Sequence, residues 1–96
     1  MNRRAVEWAA GQRVPRAADK LVLWGLAHHA DLKTFRAWPS IAALTAFTGM
    51  NRKQIIAGLD RLEASGRIID TKERQGRTKQ VKVYWVAVEQ CPIGNP

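Results

Sequence analysis

Four hydrogen-bonding side chains stand in a row at Asn51-Arg52-Lys53-Gln54, followed by Ile56, Ala57 and, a turn later, Arg61. These are the residue types that read base edges in a duplex. Arginine pairs bidentately with guanine and glutamine with adenine, while a small or branched apolar group meets a thymine methyl. A second cluster, Arg74, Arg77 and Lys79, flanks Gly76; residues 67–82 hold six Lys/Arg against two acids. Such a run suits phosphates, which carry affinity rather than sequence. Arg3 and Arg4 form a third, smaller basic pair, readable as an N-terminal arm. A plainer reading stands beside each. The Asn51/Gln54 spacing also makes a helix-capping box, and exposed Lys and Arg also keep a hairpin edge from aggregating.

The whole chain leans the same way. Its 96 residues carry 16 Lys+Arg against 8 Asp+Glu, a formal +8 at pH 7, which implies a polyanionic partner. With 46% apolar and 25% charged residues, the composition is that of one globular domain, residues 1–96. No catalytic, metal or cofactor site is expected. His28 and His29 point about 100° apart on a helix, and Cys91 has neither a second thiol nor an evident activating base. A glycine-rich phosphate loop, a nucleophile elbow and a carboxylate pair are missing as well. No apolar run reaches the ~20 residues of a membrane span. The expected location is cytoplasmic, with nucleoid association or a plasmid- or phage-encoded origin, and no small-molecule ligand is expected.

Periodicity supplies the elements that must hold these side chains. Residues 2–12 read as a short helix or arm, and residues 16–30 as an apolar helix opening after Pro15. Residues 31–36 have no period. Trp38 before Pro39 is biased towards extended backbone. Ser40 is an N-cap for a short helix carrying Ile41, Leu44 and Phe47, and its backbone N–H groups favour phosphate. Thr48-Gly49-Met50 makes a tight turn into a longer helix, 51–65, with Ile55, Leu59 and Leu62 as its buried stripe and Gly66 just past its end. After Gly66 the period becomes two: a strand over 67–72, a basic loop, a stronger strand over 81–88, and a frayed tail over 91–96. Core packing accounts for Trp24, Trp38 and Trp85; Trp8 is the one expected to be partly exposed and to suit a homodimer contact. Gly58, mid-helix, costs ~1 kcal/mol against alanine, and the close approach of another helix explains it.

In order, Lys20-Leu-Val-Leu-Trp-Gly-Leu-Ala27, Ala37-Trp-Pro-Ser-Ile41, Thr48-Gly-Met50, Leu62-Glu-Ala-Ser-Gly-Arg-Ile68 and Val83-Tyr-Trp-Val86 resemble the winged helix-turn-helix domains of phage and plasmid DNA-binding proteins. The likeness runs over roughly residues 6–88. It implies a mainly α fold with a small β-hairpin (α+β): three core helices plus a two- or three-stranded wing, with a short extra N-terminal helix. It also implies double-stranded DNA as partner, helix 51–65 in the major groove, the basic wing 73–80 on the backbone, and a homodimer or cooperative assembly acting in transcription. Two alternatives share the fold: a replication or partition protein on origin DNA, and a winged-helix protein-interaction module. Gln54 stands where such helices often carry threonine.

Overall fold

The computed structural model describes residues 2–76 and 80–88. In chain order the elements are α1 (Arg3–Gly11), α2 (Ala17–His29), β1 (Arg36–Ala37), α3 (Ile41–Thr48), α4 (Arg52–Ala64), β2 (Ile68–Gln75) and β3 (Val81–Val86). Local chemistry sets the boundaries. The Asn2 carboxamide accepts from the Ala5 N–H at 3.0 Å and donates to the Asp31 carbonyl at 3.0 Å, so one buried side chain caps α1 and ties it to the loop after α2. Ser40 caps α3, and Gly49 ends it at φ +77°, a left-handed conformation that glycine adopts without strain. Asn51 and Gln54 close a reciprocal capping box at the start of α4, at 2.9 and 3.0 Å.

The core is built around α2. Val22, Leu23, Leu26 and Ala27 are fully buried there, against Ala5 and Ala9 of α1, Leu44 of α3, and Ile55, Leu59 and Leu62 of α4. Two glycines allow the approach. A Cβ on Gly25 would lie 2.9 Å from Leu44 Cδ2, and one on Gly58 would lie 3.2 Å from both Asp19 Oδ1 and Val22 Cγ2. Gly58 is therefore explained by a crossing helix, as its position in the sequence implied. Gly58→Ala is expected to lose rather than gain the ~1 kcal/mol of helix propensity, because Val22 is fully buried and cannot retreat. Urea denaturation checks this; a midpoint above wild type would contradict the packing.

The strands form an antiparallel sheet in the order β1-β3-β2, with Ala37 opposite Tyr84, Arg36 opposite Trp85 and Ile68 opposite Val86. Alternation turns Ala37, Tyr84, Val86 and Ile68 inward onto the helices. The fold is the α+β winged arrangement expected, with three strands in its sheet.

Four local expectations are corrected. The aperiodic stretch 31–36 ends in a strand: the Asp31 carboxylate accepts from the Lys33 and Thr34 N–H groups, both at 2.9 Å, and this turn delivers Arg36–Ala37 to the edge of β3. β2 runs on to Gln75, past the expected end at Lys72, through an irregularity between Asp70 and Arg74 where Lys72 takes φ +70°. β3 ends at Val86, two residues short, where the chain turns helically through Ala87 and Val88. Trp24 and Trp38, expected in the core, are 44% and 45% exposed, whereas Trp8 is half-buried at the edge of the core, which agrees with the partial exposure expected of it. Trp24 shares the outer side of α2 with Leu21, and Trp38, just past the end of β1, is left exposed beside the inward-facing Ala37. Of the arm and the helix considered for the N-terminus, the structure has the helix. Arg3 pairs with Glu7 at 3.1 Å and the Arg4 guanidinium lies 5.4 Å from the Phe35 ring centre. The expected tail at 91–96, with Cys91, lies outside the described residues.

Candidate nucleic-acid interface

With Ile55, Gly58, Leu59 and Leu62 buried, α4 turns its other sides outward. Arg52, Lys53 and Gln54 are exposed, Ala57 is half-buried, and Ile56 is 39% exposed beside the fully buried Ile55. Neither Arg52 nor Lys53 makes an ion pair or hydrogen bond among the described residues. Asn51 and Gln54 are engaged in the capping box, which uses Gln54 Oε1 and leaves its NH₂ group to donate elsewhere.

Arg61 is placed differently from its neighbours. Its guanidinium forks onto Asp19 of α2, with Nε at 2.7 Å from Oδ2 and Nη2 at 2.8 Å from Oδ1. Asp19 is a buried acid, its side chain only 5% exposed, and the hydrogen bonds that Arg61 donates to it raise the Arg61 pKa above its ordinary value. Arg61 thus fixes α4 against α2, and its charge is already committed within the protein. Asp19 was missed in the sequence, although it shares the spacing of Val22, Leu23 and Leu26 and so stands within the buried stripe of an apolar helix.

The wing divides its basic residues in the same way. Arg74 donates to Asp70 Oδ1 at 3.2 Å and to the Glu73 carbonyl at 2.8 Å, which pins the irregular middle of β2. Arg77 and Lys79 lie outside the described residues. Lys72 and Lys82 are exposed and free of ion pairs among the described residues. Lys82 escaped notice as a site residue; its signal was a cation at the inward-alternating position of a strand, in phase with Tyr84 and Val86.

Acid sensitivity follows from the turns that shape this surface. Burial alone would raise the Asp70 pKa, but bonds from the Lys72 N–H and Arg74 outweigh it and hold the carboxyl below its ordinary value. The Thr34 and Lys33 N–H groups lower the Asp31 pKa likewise. A depressed folded-state pKa gives stability that is present above the unfolded value of about 3.9 and is lost as pH falls through the folded one. Stability is therefore expected to drop below about pH 4, and Asp70→Asn to flatten that drop, as read from urea midpoints between pH 2 and 6. An unchanged pH slope in the variant would contradict the assignment.

Ser40, Ile41, Ala42 and Leu44 of the α3 region, Arg52, Ile56, Leu59 and Asp60 of α4, and Gln80 to Lys82 with Tyr84 line a cleft of about 450 Å³. The Ser40 hydroxyl takes the Ala43 N–H at 3.0 Å, and the N–H groups of Ile41 and Ala42 have no acceptor among the described residues. The start of α4, the N-terminus of α3 and strand β3 therefore meet on one face.

Two helices joined by a glycine turn, the second presenting an open cationic N-terminal half beside a β-wing, define a helix-turn-helix domain of the kind that sets one helix against DNA. The family model for the helix-turn-helix domain matches residues 16–68, more than half of the chain, and the chain belongs to that family. No curated protein and no solved structure matches it. The matched span runs from the residue before α2 to the first residue of β2, so it holds the Asp19–Arg61 clamp and the whole of α4.

Proposed function

We propose that this chain binds double-stranded DNA sequence-specifically and acts as a small transcriptional regulator of phage or plasmid type. Helix α4 enters the major groove and the wing lies on the flanking backbone. The observation that carries this reading is the state of the basic residues on α4. Arg61, deep in the helix, is neutralised by Asp19, while Arg52 and Lys53, in the first turn, have no partner among the described residues. The N-terminal residues of a recognition helix are those that reach base edges. Lys53, Gln54 and Ala57 face outward for that contact, with Ile56 on the flank towards the wing. Lys72 and Lys82, with Arg77 and Lys79, supply the backbone contacts.

A single domain of this size covers few base pairs, so two copies on paired half-sites, or cooperative binding, complete the mechanism. The exposed Leu21, Trp24 and Phe47 provide apolar surface on α2 and α3 for that assembly. Promoter occlusion or recruitment is the outcome. The test is fluorescence anisotropy on a preferred and a scrambled duplex over a salt series, with Lys53→Ala beside wild type. Lys53→Ala is expected to narrow the gap between the duplexes by roughly tenfold. A gap that is absent in wild type would count against sequence reading.

A further inference from the structure

The cleft between α3, α4 and β3 holds one group that helix capping and core packing leave unexplained. Tyr84 is 6% exposed, lines the cleft, and its hydroxyl makes no hydrogen bond among the described residues. Around it are the cations Arg52 and Lys82 and the N–H groups of Ile41 and Ala42, none of which has a partner among the described residues. Every one of these is a donor, and a helix N-terminus favours an anion further.

We propose that this cleft is the seat of one phosphodiester group of the bound duplex, held by Arg52, Lys82, the α3 N-terminus and the Tyr84 hydroxyl. The proposal rests on the DNA-binding reading and assigns Arg52 to the backbone in place of a guanine. The charge balance selects the ligand class. Asp60 lines the same cleft, so two cations face one carboxylate and a net single positive charge remains. That matches a phosphodiester, with one negative charge, better than a doubly charged phosphate monoester. Tyr84 enters as a neutral donor. Burial, then the nearby Glu63, Asp70 and Asp60, push its pKa up to about 12, so the proton stays on the oxygen at any working pH.

The experiment scans the preferred duplex with single uncharged methylphosphonate linkages, against wild type, Tyr84→Phe and Lys82→Ala. Tyr84→Phe removes only a hydroxyl that has no partner among the described residues, so the variant keeps the packing of the ring. In wild type, one linkage per bound copy is expected to cost about tenfold in affinity beyond its neighbours. In both variants that position alone loses its penalty, and Tyr84→Phe binds the unmodified duplex about tenfold more weakly. Penalties that keep their pattern in both variants would overturn the seat. A second arm separates the seat from the DNA reading: dimethyl phosphate, then inorganic phosphate, is titrated into the free chain while backbone amides are followed by NMR. Shifts of Ile41 and Ala42 with the diester, lost in Tyr84→Phe, uphold the seat even if no duplex is preferred, and then only the DNA reading falls. Amides that do not move with the diester overturn the seat itself.

Discussion

Replacing Arg52 and Lys53 together by alanine is expected to weaken binding to the preferred duplex by about two to four orders of magnitude. Each contact to a base edge or phosphate is worth roughly 1–3 kcal/mol. The two side chains lie in the first turn of α4, where a recognition helix reaches furthest into the groove. Neither is tied to another group among the described residues, so none of their interaction energy is already spent within the fold. For the same reason the folded state should hardly notice the change: both side chains are exposed and the capping box beside them is made by Asn51 and Gln54, so stability alters by about 0.5 kcal/mol or less. Anisotropy at fixed salt measures the first effect and a thermal melt the second. The single variants then divide the roles: Arg52→Ala weakens every duplex and lowers the salt slope by about one, while Lys53→Ala chiefly weakens the preferred one. Affinity within threefold of wild type in the double variant would show that α4 is not the reading helix.

Gly25→Val is the largest expected effect on stability, about 3 kcal/mol or more, from overpacking at a helix crossing. The reason lies in distances. The first added carbon already falls 2.9 Å from Leu44 Cδ2 and 3.2 Å from Phe47 Cδ1. Leu44 is 1% exposed and has nowhere to go, although Phe47, 38% exposed, can swing outward. Alanine gains ~1 kcal/mol of helix propensity against this crowding, so Gly25→Ala should fall between wild type and the valine variant. The consequence reaches the interface. Forcing α2 away from α3 tilts α3 relative to α4, so the valine variant loses DNA affinity along with stability. A urea midpoint for Gly25→Val at or above that of wild type would mean that α2 and α3 do not meet where Gly25 stands.

The sequence and the structure agree where the determinant is local. Ser40, Gly49, the Asn51/Gln54 pair and Gly66 each act within a few residues, and each is found in its expected role. The stripe of α4 was equally legible, including the split of Ile55 inward and Ile56 outward. Gly58 was readable because a glycine inside a helix needs a reason, and the crossing of α2 supplies it. What stayed hidden depends on distant partners. β1 is two residues long and exists because β3 pairs with it from nearly fifty residues away. Arg61 looked like a free cation until Asp19, 42 residues earlier, was brought within 2.7 Å. Trp24 and Trp38 looked like core because bulk and hydrophobicity are visible in a sequence, whereas the number of helices available to cover them is not. The cleft of Arg52, Lys82 and Tyr84 joins a helix start to a late strand, which no local spacing encodes.

The central claim, that this fold reads sequence in a duplex, is tested most directly by selection from a random double-stranded library, followed by affinities of the winner and its scramble across salt. The account predicts a recovered motif, repeated or palindromic, with a specificity ratio of at least about 10³ at physiological salt. The spacing of its halves would give the geometry of the two-copy complex. Equal and steeply salt-dependent binding to every duplex, with no motif recovered, would contradict it and reduce the +8 charge to a footprint on the phosphate backbone.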